Sequence, residues 1–248
     1  MGSETELRFF FLHVMKTGGA TFRQHVVANF GPGEVYPDPA LDPNLFIANT
    51  RIAYLRNLAP PRKARIRAYA GHFPFLCVDM LGIPLVTLTM LRDPVARTIS
   101  YLRHCKRYHE NQHDLSLDEI YHDPFVNSVF IRNHQAKLFC LEPDDEPVTY
   151  MHVVEVDDAR LAVAKHNLTQ VDVIGFTEEY DAFMVTMRRR YSWHFGSVAP
   201  RHVSNEPWPA SDDLKRQIAD DNAADIEFYE FARSLSSGTT SSEESPSK

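Results

Sequence analysis

Residues 15–21, Met-Lys-Thr-Gly-Gly-Ala-Thr, set a lysine, two hydroxyls and two glycines between an apolar run and a stretch of helical spacing. Glycines let backbone amides turn inward, a following helix offers its positive N-terminus, and Lys16 adds a full charge. Together they could cradle a phosphate-like anion. The same residues could also form a plain strand-to-helix turn carrying a surface lysine. A Walker A loop is excluded, since it needs Gly immediately before the Lys and Met15 stands there. A second element, Leu91 to Ser100 (LRDPVARTIS), places Arg92 at the end of an apolar run and Pro94 where a helix would begin. An arginine fork of Arg92 and Arg97 with the Ser100 hydroxyl suits a terminal phosphate. Arg92 and Asp93 taken singly could be no more than a salt bridge at a helix cap. The third element is Ala70-Gly71-His72-Phe73-Pro74-Phe75. An imidazole at a strand end can take a proton from a hydroxyl, because its pKa lies near neutrality. One histidine among twelve would otherwise read as structural.

These residues need a scaffold. Residues 8–14 form an aromatic-rich apolar run, as a strand buried on both faces would, and Phe22, Val26, Val27 and Phe30 then share a helical face. Residues 31–50, rich in proline and glycine, read as a long surface loop. Strands are expected over 65–70, 84–91 and 171–176. Helices are expected over 94–107, 115–122, 124–141, 157–168, 177–193 and 211–235. Strands alternating with helices imply an α/β fold, a P-loop-like three-layer arrangement with a central parallel sheet flanked by helices. Ligands on such sheets bind at the carboxyl ends of the strands, where Lys16, His72 and Arg92 all fall. The expected organisation is a flexible N-terminus over 1–7, one domain over 8–235 and a disordered polar tail over 236–248.

The chain has 248 residues, is 44% hydrophobic and carries a net charge of -7, which is ordinary for a globular domain and argues against a general nucleic-acid binder. Cys77, Cys105 and Cys140 are far apart and odd in number, reading as reduced thiols with no zinc spacing. No signal peptide and no apolar stretch of membrane-spanning length is visible. The expectation is a cytoplasmic protein as encoded, or one of the Golgi lumen if a targeting segment has been removed. His109-Glu110-Asn111-Gln112-His113 matches the zinc-protease pattern, but its flanks are polar, and Ser116 and Glu119 stand where the longer motif needs Gly and His. No metal site is expected.

Residues 9–22 (FFFLHVMKTGGATF) resemble the 5′-phosphosulfate loop of the Golgi heparan sulfate O-sulfotransferases. They are most similar to the 6-O-sulfotransferases and more distantly to the 2-O-sulfotransferases. LRDPVARTIS resembles that family's 3′-phosphate motif, AGHFPF falls where it has its catalytic histidine, and residues 130–139 (FIRNHQAKLF) resemble its Asn-and-Gln helix. The similarity runs in order over about residues 8–235. Phe73, Pro74 and Phe75 replace the family's tryptophan after the histidine. The resemblance implies transfer of a sulfuryl group from 3′-phosphoadenosine-5′-phosphosulfate to an acceptor hydroxyl, with no metal. It implies that Lys16, Thr17, Gly18, Gly19, Ala20 and Thr21 hold the phosphosulfate, and that Arg92 and Ser100 hold the 3′-phosphate. Arg201 and Ser204, on a closing loop, would add contacts to the nucleotide. His72 would be the base and Lys16 a charge stabiliser, while Phe73, Asn133, Gln135 and Lys137 would meet the acceptor. That acceptor is expected to be a glycan. A lipid, polyketide or other small alcohol is the alternative, and a P-loop nucleotide kinase a more distant one.

Overall fold

The computed structural model describes residues 6–145, 149–196 and 208–240. In chain order the elements are β1 (Phe9–Leu12), α1 (Gly19–Asn29), β2 (Val35–Tyr36), α2 (Leu45–Thr50), α3 (Ile52–Arg56), α4 (Pro60–Arg65), β3 (Ala68–Gly71), α5 (Cys77–Leu81) and β4 (Val86–Leu91). They continue through α6 (Pro94–Tyr108), α7 (Leu117–Tyr121), α8 (Pro124–Val126), α9 (His134–Cys140), α10 (Asp158–Leu168), β5 (Val173–Phe176), α11 (Tyr180–Tyr191), α12 (Asp212–Asp221) and α13 (Ala223–Thr240). The fold class is α/β, as the strand and helix alternation leads one to expect. Its centre is a five-stranded, all-parallel sheet of order β2-β3-β1-β4-β5, flanked by helices.

The chain divides into two compact units, one of residues Met1–Leu91, Leu141–His152 and Val171–Asn205, the other of Arg92–Cys140, Val153–Gln170 and Glu206–Lys248. The first holds the whole sheet. β1 is buried throughout because both its faces are covered. Phe9 and Phe11 join Phe22 and Val26 of α1 and Phe183 and Met187 of α11 in one apolar cluster. Phe10 faces the other way, towards Phe73, which stacks on Tyr36 with ring centroids 6.1 Å apart. β1 connects to β2 on one side of the sheet while its neighbour β4 connects to β5 on the other. In sheets of this kind ligands bind at such a reversal, at the strands' carboxyl ends.

Two departures from the expected elements have local causes. Within the presumed loop over 31–50 the chain makes β2 and α2. β2 is too short to show alternation, and α2 is started by Asn44, whose side chain accepts from the Ile47 amide at 3.0 Å.

The second unit is helical. Asp93 caps α6 by accepting from the Ala96 amide at 2.7 Å, with Pro94 at the first helical position. Ser116 and Glu119 form a capping box on α7. The helix expected over 124–141 is broken into α8, a π-helical turn over Asn127–Ile131 and α9, the break falling where Asn133 adopts a positive φ of 44°. The final helix is likewise two, α12 and α13, parted at Asn222, whose side chain is held by tertiary bonds described below.

Candidate functional site

β1 runs into Val14, which is fully buried, and the chain then turns sharply. Lys16 (φ 67°) and Gly18 (φ 83°) are both left-handed, and the buried Thr17 between them donates its hydroxyl to the Val14 carbonyl at 2.9 Å. Gly18 is the cap of α1, and any side chain there would be strained in φ and would press on Met90 Sδ at 3.3 Å. No side chain caps α1 and no acidic residue sits in its first turn. Its positive end is therefore uncompensated from within the helix; the Thr21 amide turns back to the Gly18 carbonyl at 3.1 Å, while the Gly19 and Ala20 amides have no partner inside the helix. Gly19 is required for a different reason: a Cβ there would lie 2.1 Å from Cδ2 and 2.4 Å from Nε2 of His13.

His13 links this loop to His72. Its own amide donates to the Gly71 carbonyl at 3.1 Å, tying the end of β1 to the end of β3. The His72 amide donates to Asn49 O at 2.9 Å, and His72 Nδ1 donates to the His13 carbonyl at 2.7 Å. A carbonyl can only accept, so His72 carries its proton on Nδ1 and leaves the Nε2 lone pair available. The two imidazoles stack with centroids 4.2 Å apart, and Tyr150 lies 5.2 Å from His72. Arg23, one turn into α1, donates to Ala70 O at 3.3 Å and Pro37 O at 2.6 Å.

This packing keeps both imidazoles neutral. Burial pushes His72 down to about 4, and the Arg23 charge adds to the effect against the opposing bond to the His13 carbonyl. His13 is held well below the ordinary histidine value by burial, then by His72, Arg23 and Lys16. Burial also raises the Tyr150 phenol to about 12, so it stays protonated near neutrality.

Phe73 belongs to the core. It is fully buried, and its ring occupies the space a Cβ on Gly71 would need, with Cε2 2.4 Å from that position. It supports the end of β3 from beneath and presents no surface to an acceptor.

In the second unit Arg92 and Ser100 are both partly exposed. The Arg92 backbone is gripped by Gln135: its amide donates to Oε1 at 3.1 Å, and Nε2 donates to its carbonyl at 2.8 Å. Gln135 is fully buried, and its own amide donates to Asp225 at 3.1 Å, alongside that of Ala136 at 2.8 Å. Lys137 is fully buried and donates to the Val129 carbonyl at 2.6 Å. The Asn133 amide donates to Asn222 Oδ1 at 2.8 Å while its side-chain oxygen accepts from the Asp225 amide at 3.1 Å. Asn133, Gln135 and Lys137, expected with Phe73 to meet the acceptor, thus have these polar groups engaged inside the second unit. The arginine fork does not form either, because Arg97 is fully buried and gives its guanidinium to the Phe130 carbonyl. Burial lowers Arg97 to about 10, with Asp225 opposing.

Arg201 and Ser204 lie outside the described residues. The pattern from His109 to His113 forms a short 3-10 turn over Glu110–Gln112, with both histidines exposed and Gln112 turned inward, unlike the helix a zinc protease uses. Among the described residues, no group of three or more His, Cys, Asp or Glu is placed to hold a metal, and no helix is long and apolar enough to cross a membrane.

Reading the sequence singled out His72 and the glycine loop but not His13, Arg23 or Tyr150. His13 carried a usable signal, since it follows β1 at the same end of the sheet as His72 follows β3. Arg23 and Tyr150 carried none that spacing could reveal. No known family model matches the chain, and no curated protein does.

Proposed function

We propose that the chain is a sulfotransferase that moves a sulfuryl group from 3′-phosphoadenosine-5′-phosphosulfate to an acceptor hydroxyl of a carbohydrate. The observation that carries this reading is the pairing of an uncapped, glycine-lined helix start with an imidazole whose Nε2 lone pair is available, joined through His13. The loop from Lys16 to Thr21 would hold the phosphosulfate on backbone amides and the Lys16 charge. Arg92 and Ser100 are assigned the 3′-phosphate by the resemblance of their motif. The acceptor oxygen forms its bond to sulfur as its proton passes to His72 Nε2, while the sulfur–oxygen bond to the phosphate breaks and the bisphosphate nucleotide departs. Positioning and charge neutralisation dominate such transfers, as they do in phosphoryl transfer.

Replacing His72 with Ala should lower turnover by about 100-fold or more while leaving binding of 3′-phosphoadenosine-5′-phosphate within a few-fold. Turnover near wild type in that variant removes His72 from the role. Labelled donor offered with saccharides in one arm and small alcohols in another identifies the acceptor; transfer confined to the alcohols would overturn the carbohydrate assignment.

A further inference from the structure

Two imidazoles meet at this site, and only His72 takes the acceptor's proton. The His13 ring is the other. The residue is 7% exposed, its Nδ1 is buried, and the ring makes no hydrogen bond among the described residues. An unsatisfied buried N–H is rarer and costlier than an unsatisfied buried acceptor, so the proton belongs on Nε2. The Cδ2–Nε2 edge of the ring is the edge that lies against Gly19, the first residue of α1. Gly19 has no side chain to accept from Nε2–H, and no side chain caps the helix it opens. A bound oxyanion can accept from it.

Resting on the sulfotransferase reading, we infer that His13 is a second catalytic imidazole, whose Nε2–H donates to a non-bridging oxygen of the sulfuryl group being transferred. The two stacked rings then hold opposite tautomers and divide the work. His72, protonated on Nδ1, receives the acceptor's proton at Nε2. His13, protonated on Nε2, steadies the negative charge on the sulfuryl oxygens without changing its own proton count. The groups facing His13 fit this role. His72 stacks on it, Lys16 and Arg23 bring positive charge, and Tyr150 beside His72 stays protonated near neutrality. With no carboxylate acting on it and two cations nearby, the imidazole stays neutral and acts as a donor through Nε2–H alone.

The test compares His13→Phe, which keeps a stacking ring without the donor, with His13→Gln, whose amide nitrogen falls near the Nε2 position. His13→Phe should lose about 100-fold in kcat, the effect of removing one preorganised donor. It should still bind 3′-phosphoadenosine-5′-phosphate, which lacks the sulfuryl group, within a few-fold of wild type. His13→Gln should recover at least about a tenth of wild-type kcat. An unchanged kcat in His13→Phe, or equal loss in both variants together with lost nucleotide binding, overturns the inference; the second result makes His13 purely structural. Nitrogen-15 NMR of histidine-labelled wild-type protein supplies a readout independent of folding of the variants. It should show His13 protonated at Nε2 and His72 at Nδ1, and the reverse tautomer at His13 also overturns it. If the wild-type protein neither binds the nucleotide nor turns over, the sulfotransferase reading fails, whatever the tautomers are.

Discussion

Both units bury polar side chains, yet they use them in opposite ways. Around Gln135 in the second unit, buried side chains bind backbone far along the chain: Gln135 clamps the Arg92 backbone, Asp225 caps the start of α9, and Asn133 and Asn222 hold the ends of neighbouring helices. At the end of β1 in the first unit the pattern differs. α1 has no side-chain cap, and the buried His13 ring has no hydrogen bond among the described residues. A satisfied network fixes a fold, whereas unsatisfied groups sharing a polarity mark where something else must bind. By that contrast the glycine loop and the paired histidines are the candidate site, and the residues around Gln135 are the brace behind Arg92.

The contrast can be broken by substitution. Asp225→Ala removes the acceptor for two buried amides and the carboxylate nearest Arg97 and Lys137, and should cost about 3 kcal/mol or more in chemical denaturation. A loss below about 1 kcal/mol would mean that the network is not a brace. Gly19→Ala drives a methyl into the His13 ring, and about 1–3 kcal/mol of destabilisation should accompany a loss of turnover larger than that of any exposed alanine on α1. Wild-type turnover there would show that the position of the His13 ring is unimportant.

Acid separates the two regions by sign. His72 binds its proton only near pH 4 when folded, against an ordinary value of 6.5, so the unfolded chain holds more protons between those values. Its contribution to stability is complete above 6.5 and is lost as pH falls towards 4. His13 acts in the same direction. Asp225 is raised by burial to about 6 from an ordinary 3.8, so the folded chain holds more protons in that window, and its contribution improves as pH falls. Denaturation from pH 4 to 8 should show a shallower loss at the acid end in His72→Phe than in wild type, and a steeper one in Asp225→Asn. Parallel curves for all three would contradict both assignments. The smallest effect expected is on the proposed activity: with His72 as base, kcat/KM should not fall with pH until about pH 5, because that imidazole is already neutral above it.

How much of this was legible in the residues depended on whether the signal was local. The run FFFL is apolar on both faces and VTLTML is apolar on one and mostly β-branched on the other, as buried central strands are, so β1 and β4 could be read directly. Pro94 and Asp93 announced α6. β2 escaped because two residues show no period, and the breaks at Asn133 and Asn222 escaped because each is made by a partner about ninety positions away. The same applies within the site. Lys16, Gly18 and His72 sit at strand ends that the pattern exposes. The stack of His13 on His72 exists only because β1 and β3 are paired in register, Leu12 opposite Gly71. Gln135 and Lys137, polar residues on a helix, looked available until their burial was known.

The most direct test of the central claim is calorimetric titration of 3′-phosphoadenosine-5′-phosphate and of ATP into the wild-type protein and Lys16→Ala. Saturable binding of the bisphosphate, at least about tenfold tighter than ATP and weakened about tenfold or more by Lys16→Ala, is the predicted result. No binding of the bisphosphate, or equal affinity for both nucleotides in both proteins, would contradict the claim that the loop following β1 is built for this donor.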